Sequence, residues 1–409
     1  MTTTPMPGHI LPAAPRAFIT EWTVAGDETA RTITLPLYNS GTFDCIVDWG
    51  DGTTDSTVTA FDDADRIHVY AEDGTYEVGI TGDCPAWSFN DVGDKLKITD
   101  IINWGEAVDF SGFGYLTSAF YGCTNLASLG LGKIQALDEL DEVKRIFTSC
   151  SSITSIPIGL FDNCVNLTAE AFFSAFDGCT SLETIPTDLF RYNTEVSTQA
   201  FYSTFVLCTS LVSIPTDLFR YNTKASTSAF YSVFFACTSL ETIPTDLFRY
   251  NTAVVSDGFK QSFRGCTSLV SIPTDLFRYN TGVGYGAFFR AFYGCASLET
   301  VPELLFKYNT AVSNNTFYRT FYGCNKLQLN AKIFYDTGEA STRFLNKVID
   351  FENCFYRTSF TGTQGTAPDL WNCDFGTETP VTTNCFAGAG NSLTSLDNYG
   401  DIPTAWGGA

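Results

Sequence analysis

The chain has 409 residues, of which 44% are hydrophobic and 17% charged, so it can bury a core and is not expected to be disordered. Its formal net charge is −22, and such an acidic chain repels a phosphate backbone, which argues against nucleic acid as a partner. No run of about 18 apolar residues occurs, so we predict no transmembrane helix and no membrane insertion.

Residues 1–15 read MTTTPMPGHILPAAP and are predicted to form an extended arm. They contain no basic stretch followed by an apolar stretch, so we expect no secretory signal peptide in this chain. Terminal arms are usually disordered unless another part of an assembly holds them. We expect a neighbouring protein subunit to hold this arm.

Residues 16–100 predict an antiparallel β-sandwich. The segments RTITLPLY, FDCIVDWG and YEVGIT alternate apolar and polar residues, which is typical of strands with one buried face. DGTTD and EDGT are turn signals between them. Asp48, Asp51 and Asp55 lie close together at the first turn and form a weak candidate calcium site, since carboxylates bind this cation. Asp-Gly turns are also common in sandwiches, so the alternative is a turn without a metal.

The stretches VDWGDGTTDS and HVYAEDGTYEVGITG together resemble the polycystic-kidney-disease (PKD) domain family. The matching residues are Trp49, Gly50, Asp51, Gly52, His68, Tyr70, Gly74, Tyr76 and Val78. The resemblance implies a PKD-like or immunoglobulin-like sandwich over residues 16–100. His68 lies in this motif, and we interpret it as a structural hydrogen-bonding residue rather than a catalytic one.

Residues 123–385 contain a repeat that is marked by cysteine. Seven cysteines recur at one constant spacing, and they are Cys150, Cys179, Cys208, Cys237, Cys266, Cys295 and Cys324. Cys123 precedes the series at a slightly shorter spacing, and Cys354 and Cys385 follow it at slightly longer ones. A fixed period of roughly 29 residues predicts a solenoid, here of about ten coils, because single units cannot bury their apolar faces alone. Residues 101–122 are assigned to a linker and N-terminal cap, and residues 386–409 to a C-terminal cap.

One unit, from Cys179, reads CTSLETIPTDLFRYNTEVSTQAFYSTFVL. SLETIP predicts a short parallel strand that ends at Pro186, whose nitrogen cannot donate to a ladder. DLFRY predicts a single turn, and Asn193 after it is interpreted as a turn residue. In TQAFYSTFVLC, Phe201, Phe205 and Cys208 fall at i, i+4 and i+7, which predicts a short helix.

The motif FxxCTSLxxIPxxLF, from Phe205 to Phe219 and in the sister coils, resembles the leucine-rich repeats of BspA-like surface proteins. The resemblance covers about residues 115–395 and implies a right-handed solenoid with a parallel sheet on one side. The predicted fold class is therefore a β-rich multidomain protein. In it, a PKD-like antiparallel sandwich precedes a leucine-rich-repeat solenoid with a short strand and a short helix in each coil. The family's usual role in adhesion or recognition implies a binding function and supplies no catalytic residues.

The 14 cysteines are predicted to be free, buried thiols. Disulfides would pair alternate coils, yet every coil keeps the same surroundings around its cysteine, and Cys is often buried as a small apolar residue. Cys164 stands where later coils have the Asn of RYN, and we interpret it as a substitution.

We predict no enzymatic activity and no cofactor. The chain has two histidines, His9 in the arm and His68, and it contains no Gly-x-Ser-x-Gly elbow, phosphate-binding loop or His-Glu-x-x-His motif. Cys-x-x-Cys pairs are also absent from the sequence, which argues against a zinc ribbon. A carbohydrate-active enzyme stays a minor alternative, because two acids from distant coils can converge on one site.

The candidate binding residues recur in PTDLFRYNT and in its degraded copy PELLFKYNT. They are Arg191, Tyr192, Arg220, Tyr221, Arg249, Tyr250, Arg278, Tyr279, Lys307 and Tyr308. Arg and Tyr are enriched at binding hot spots, and stacked Tyr rings also offer a platform for a sugar. Leu189 and Phe190 are assigned to the core, and Asp188 is expected to pair with an arginine of a neighbouring coil.

These features predict a non-catalytic structural or recognition protein. The leading hypothesis is a phage-type virion surface protein, such as a capsid decoration, head fibre or tail protein, anchored by its N-terminal region with the solenoid exposed. Its expected partners are other particle subunits, through the arm and the PKD-like domain, and a host surface protein or glycan through the solenoid. The alternative is a bacterial cell-surface adhesin, so the expected location is a virion surface, a cell surface or the extracellular space.

Overall fold

The computed structural model describes residues 17–336, 342–358, 365–389 and 396–408. The arm predicted for residues 1–15 lies outside the described residues. Strands occupy the first part of the described chain, and the rest is a stack of coils built from turns. Short 3₁₀ helices are also present, and they are Ala64–Arg66, Leu370–Asn372, Tyr399–Asp401 and Thr404–Trp406.

The N-terminal strands form two antiparallel sheets. The strands are β1 (Phe18–Val24), β2 (Thr32–Thr34), β3 (Asp44–Asp48), β4 (Ser56–Val58), β5 (Ile67–Val69), β6 (Gly74–Asp83) and β7 (Ile98–Trp104). One sheet has the order β4-β3-β6-β1-β7, and β2 pairs with β5 in the other. In β3, Cys45 and Val47 are buried while the residues between and beside them are exposed, so the apolar alternation sets which face meets the core.

Strand β7 joins the sheets to the coils. It pairs antiparallel with β1 and brings Trp104 opposite Phe18. Its last residues belong to the segment 101–122 that the sequence assigns to a linker and cap. Asn103 also forms an isolated parallel bridge to Leu131 in the following coil, so the strand contacts both parts of the molecule.

The fold class predicted from the sequence is wrong. Of the described residues, 3% are in 3₁₀ helices and 15% in strands or isolated bridges, and the coils of residues 123–336 contain neither the short helix nor the continuous strand of a leucine-rich-repeat solenoid. The segment 198–208, predicted as helical, is a run of consecutive turns over residues 198–207. We refer to this segment and its counterparts in the other coils as the turn ribbon.

The hydrogen bonds of the turn ribbon are incompatible with a helix. The N–H groups of Phe201, Ser203 and Phe205 donate to carbonyls of the next coil at 3.0, 2.8 and 2.9 Å. The N–H groups between them donate three residues back, as Thr204 does to Phe201 at 3.3 Å. Ser203 and Leu207 have φ angles of 56° and 57°, so left-handed residues recur every fourth position. An α-helix has neither feature.

The predicted strand SLETIP is reduced to isolated parallel bridges. The bridges join Ser155 to Thr184, Ser213 to Thr242 and Ser271 to Thr300, and Thr300 also bridges onward to Gln328. In each of the first three bridges, one coil has Ser directly before its Ile-Pro pair. The next coil has Thr at the equivalent position. From Ser155 to Thr300, the bridges therefore occur at every second junction between coils, in step with the alternation of Ser-Ile-Pro and Thr-Ile-Pro or Thr-Val-Pro along the sequence.

Phenylalanine ladders fill the interior of the stack. Phe172 stacks on Phe201 with ring centroids 5.6 Å apart, and Phe176 stacks on Phe205 at 5.5 Å. A third ladder runs beside them from Phe161 through Phe190, and the ring centroid of Phe190 lies 4.5 Å from that of Phe172. All these rings are buried, and each pair contributes about 0.5–1.5 kcal/mol beyond its buried area. The ladders continue the core of the N-terminal sheets without a break.

A ladder of fully buried asparagines lies beside the rings. Its members are Asn193, Asn222, Asn251, Asn280 and Asn309. The Nδ2 of Asn222 donates to the carbonyls of Phe190 and Asn193 in the preceding coil, at 3.0 and 2.9 Å. The other members repeat this pattern. Asn193, interpreted as a turn residue, closes a turn by donating its N–H to the carbonyl of Phe190 at 3.3 Å, and its side chain is also a buried donor between coils.

Two other residues end the asparagine ladder. Asn193 donates to the carbonyl of Cys164 at 2.8 Å, so Cys164 occupies the asparagine position one coil earlier. At the other end, the Nη2 of Arg343 donates to the carbonyls of Phe306 and Asn309, at 2.9 and 3.0 Å. These are the two carbonyls that a further asparagine would contact, so Arg343 caps the ladder.

All 14 cysteines are free and buried in the structure. Eight of them form one ladder, and they are Cys123, Cys150, Cys179, Cys208, Cys237, Cys266, Cys295 and Cys324. From the second member onward, each thiol donates to a phenylalanine carbonyl of the preceding coil, as Cys208 does to Phe176 at 3.3 Å. Burial raises the pKa of Cys208 well above its ordinary value, so this thiol stays protonated and unreactive.

Cys354 and Cys385 do not continue the cysteine ladder, contrary to the spacing prediction. Phe321 stacks on Phe355 at 5.6 Å, so Cys354, directly before Phe355, lies at the position of Thr320. Cys385 occupies the same position in the next coil. The longer spacing before Cys385 is the length of its coil, and the spacing before Cys354 combines a longer coil with a shift of the cysteine within it.

Candidate functional site

The recurring arginines and tyrosines form one continuous column on the surface of the coils. The Cζ of Arg191 lies 5.5 Å from the ring centroid of Tyr192 in its own coil and 5.4 Å from that of Tyr221 in the next. Arg220 repeats the arrangement, at 5.7 Å from Tyr221 and 5.3 Å from Tyr250. We refer to this set as the Arg–Tyr column. Its members are Arg191, Tyr192, Arg220, Tyr221, Arg249, Tyr250, Arg278, Tyr279 and Tyr308.

Local burial explains why the column faces outward. The Leu-Phe pair before each arginine is buried, and so is the asparagine after each tyrosine, which leaves the two residues between them at the surface. The four arginine side chains are 43–47% exposed. A cation that stacks on a ring at such exposure contributes about 0.5–1 kcal/mol. The repeated contacts therefore hold the column in one arrangement.

Each arginine of the column pairs with an aspartate three residues earlier in its own coil. The Nη1 to carboxylate distances are 3.6 Å for Arg191–Asp188, 3.5 Å for Arg220–Asp217, 3.2 Å for Arg249–Asp246 and 3.3 Å for Arg278–Asp275. The expectation of pairs between coils is wrong, because the turn at DLF brings residues i and i+3 together. These exposed pairs each contribute about 0–1 kcal/mol, and they leave the column without net charge.

The column changes at its C-terminal end. Lys307 replaces arginine there and is half-buried, and Leu304 replaces the aspartate three residues earlier. Tyr308 still lies 5.0 Å from the guanidinium of Arg278. The structure therefore brings the predicted arginines and tyrosines into one series of contacts, and Lys307 occupies the next arginine position of the repeat.

The tyrosine rings do not form a stack of open faces. Tyr221, Tyr250 and Tyr279 each have two guanidinium groups within 5.9 Å of the ring centroid. A sugar that packed on one of these rings would compete with a guanidinium. The column instead offers ring edges, hydroxyls and paired charges, which suit a protein partner.

The acidic turn of the N-terminal region is organised by hydrogen bonds. Asp51 contacts the Nε2 of His68 at 2.8 Å and accepts from the N–H of Thr53 at 3.0 Å, while Asp48 accepts from a backbone N–H of its own turn. Burial raises the pKa of Asp51, but the hydrogen bonds from Thr53 and His68 outweigh it and hold the pKa below its ordinary value. Nowhere in the described ranges do three or more His, Cys, Asp or Glu side chains form a group that could hold a metal, the region of Asp48, Asp51 and Asp55 included.

The outer face of the turn ribbon carries a second aromatic surface that the sequence analysis did not single out. Tyr202 stacks on Tyr231 at 4.4 Å, and Tyr293 stacks on Tyr322 at 4.7 Å. Burial raises the pKa of Tyr202 to about 12. The signal for this surface is the aromatic residue after many of the inward phenylalanines, as in AFYSTF and AFFRAFYG.

Comparisons with known proteins do not assign this chain to a family. No family model matches it. No curated protein matches it either. Across the described parts of the chain, we find no helix with the length and apolar character needed to cross a membrane. The two surfaces described above are therefore the basis for a proposal about function.

Proposed function

We propose that this chain is a non-catalytic recognition protein whose working surface is the Arg–Tyr column and whose partner is another protein. The observation that carries this proposal is the unbroken alternation of guanidinium groups and rings over five coils, at 5.0–5.9 Å. Stacked coils fix the spacing of these side chains before a partner arrives. A preorganised surface loses less side-chain entropy on binding, which favours affinity.

The chemistry of the column favours a protein over a polyanion or a neutral sugar. Arg and Tyr are the residues most enriched at protein hot spots, together with Trp. The aspartates balance the charge of the arginines, so a strongly charged polymer gains little attraction here. Guanidinium groups already contact the interior rings, which disfavours a sugar on their faces.

The setting that we propose first is the surface of a phage-type virion, and the second is a bacterial cell surface. The repeated, preorganised side chains of the Arg–Tyr column support both settings, because such a surface suits adhesion and recognition. Recovery of the chain in stoichiometric amounts from purified particles supports the first setting. Recovery from the cell envelope of a producing bacterium supports the second, and recovery from neither contradicts both.

The proposed partner class is tested with the fluorescently labelled full chain and a panel of intact bacterial cells. We expect saturable binding to at least one member of the panel. Protease treatment of those cells should abolish the binding that the variant R220A/Y221A/R249A/Y250A lacks, and periodate treatment, which oxidises sugars, should leave it. Absence of binding to every cell type, or column-dependent binding that periodate removes and protease does not, contradicts a protein partner.

A further inference from the structure

Two arginines of the turn ribbon differ from those of the Arg–Tyr column in their surroundings. Arg264 and Arg290 are half-buried on the outer face of successive coils. Throughout the part of the chain that the structure describes, no carboxylate lies within the 4.0 Å of an ion pair from either one. In a chain with a net charge of −22, two neighbouring arginines without an acid partner need an explanation.

Aromatic rings hold these arginines beside each other. The Cζ of Arg264 lies 5.0 Å from the ring centroid of Tyr293, and that of Arg290 lies 5.8 Å from the same ring. Arg290 also lies 5.5 Å from Tyr318, and Arg319 lies 4.8 Å from that ring. The three arginines are thus linked through two shared tyrosines, and each guanidinium has a fixed place.

The charges of this surface do not cancel. Arg319 pairs with Glu352 at 3.7 Å, and Lys260 of the same face pairs with Asp257 at 3.2 Å. Arg264 instead donates to the neutral amide oxygen of Gln261 at 2.7 Å. Burial and the charge of Arg290 together lower the pKa of Arg264, as expected for two cations held close together. An anion between them would relieve this repulsion.

We infer that Arg264, Arg290 and Arg319 form a binding site for the carboxylate or sulfate groups of an acidic polysaccharide. A guanidinium presents a planar fork of donors that matches an oxyanion. The site is half-exposed, so a single small ion gains few contacts there. A polymer with an anionic group on many of its sugars contacts several arginines at once. Because its anionic groups are covalently linked, the contacts together give a higher affinity than a single ion does.

Other polyanions fit this surface less well. Nucleic acid carries one charge per about 1.7 Å of duplex, and the acidic molecule around this small cationic patch repels such a density of charge. Tyr293 and Tyr318 place phenol groups beside the guanidinium groups, and phenols both donate to and accept from sugar hydroxyls. An acidic peptide offers carboxylates without such hydroxyls. The inference concerns a different surface from the Arg–Tyr column and does not depend on it.

The test measures binding of the full chain by titration calorimetry at about 50 mM salt, where exposed charges are only partly screened. The probes are polygalacturonate for carboxylate, dextran sulfate for sulfate, and dextran as the uncharged control. Polyglutamate and duplex DNA represent the other polyanions. We expect binding to at least one of the two acidic polysaccharides, no binding to dextran, and roughly tenfold weaker binding to polyglutamate and DNA.

The variant R264Q/R290Q should bind the acidic polysaccharide roughly tenfold more weakly or worse, because it loses both unpaired charges. The matched control K224Q/K332Q also removes two positive charges, but from lysines that are paired with Glu195 and Glu303, and its affinity should change by about twofold at most. If the double variant does not fold, R264Q and R290Q are measured singly, and each should weaken binding by about threefold or more.

Three results would overturn the inference. One is a wild-type chain that binds neither acidic polysaccharide, and another is equal affinity for polyglutamate or DNA. The third is an equal loss of affinity in R264Q/R290Q and K224Q/K332Q. None of these results bears on the protein partner of the Arg–Tyr column, so failure here and failure of the proposed function are distinguishable.

Discussion

Buried asparagine side chains donate hydrogen bonds that link each coil to the preceding one. Asn251 is fully buried, and its Nδ2 donates to the carbonyls of Phe219 and Asn222 at 2.9 and 3.0 Å. Both carbonyls belong to the preceding coil, so the side chain stabilises an interface between coils. The regular spacing of these asparagines is visible in the sequence, but the direction of their side chains is not, since asparagine also serves in turns.

The variant Asn251→Ala should lower the free energy of unfolding by about 2–3 kcal/mol, because two hydrogen bonds between coils are lost in a buried site. Urea unfolding of the full chain measures this change. Thr252→Ala, at the exposed neighbouring position, is the matched control and should stay within about 0.5 kcal/mol of wild type. Equal stability of Asn251→Ala and wild type would show that the ladder does not hold the coils together.

Asp177 gives the molecule a defined pH dependence. Burial raises its pKa from 3.8 to about 6 in the folded chain. The folded state therefore binds this proton more tightly than the unfolded state, and stability from this group falls as the pH rises from about 4 to about 6.

The variant Asp177→Asn should be more stable than wild type at pH 7, by about 1–2 kcal/mol because the carboxyl is partly exposed to water. The gain should nearly disappear at pH 3.5, where the wild-type carboxyl is mostly protonated in the unfolded state and almost fully protonated in the folded state. Asp188→Asn, which removes an exposed, ion-paired carboxylate, should give no gain at pH 7. A gain for Asp177→Asn that is the same at both pH values would contradict the shifted pKa.

Among the elements, the turn ribbon shows how a helical pattern arises without a helix. Inward phenylalanines recur every four residues in the ribbon, and a helix repeats every 3.6 residues. Over a segment as short as 198–208 these two periods place the same residues inside, so periodicity alone does not distinguish a ribbon from a helix. The positions with positive φ angles do distinguish the ribbon from a helix. Glycine occupies three of them, Gly265, Gly294 and Gly323, with φ angles of 76°, 73° and 74°.

The non-glycine residues at left-handed positions of the described chain include no Val, Ile or Thr. A β-branched side chain is strained at positive φ. Ser203→Val, at φ 56°, should therefore destabilise the chain by about 2 kcal/mol, whereas Ser203→Gly should leave stability unchanged or raise it by up to about 1 kcal/mol. Thermal unfolding distinguishes this order from that of a helix, in which the glycine variant would be the less stable one.

On the scale of the whole molecule, one period generates both the core and the surfaces. The constant spacing of the repeat sets which phenylalanines, asparagines and cysteines stack, and the same spacing repeats Arg and Tyr on the outside. The members of the Arg–Tyr column could be predicted from the sequence for this reason. Their alternating order and their aspartate partners could not, because both depend on how the DLF turn folds within a coil.

The cationic site of the turn ribbon could not be predicted from the sequence for a related reason. Arg264, Arg290 and Arg319 are not repeated in every coil, so no regular pattern marks them as a set. Their contacts through Tyr293 and Tyr318 exist only because the ribbon turns successive residues outward. The site thus depends on the tertiary arrangement of three coils.

The central claim is that the Arg–Tyr column is the surface that binds a partner. The most direct test is the affinity of the variant R220A/Y221A/R249A/Y250A for the cells that bind the wild-type chain, with the thermal unfolding midpoint as the check on folding. We predict an affinity at least roughly tenfold lower in a chain that still unfolds cooperatively, because hot-spot residues of this kind contribute about 2 kcal/mol or more each. The midpoint should fall by a few degrees, since the variant loses five cation–π contacts. An unchanged affinity in a folded variant would contradict the claim.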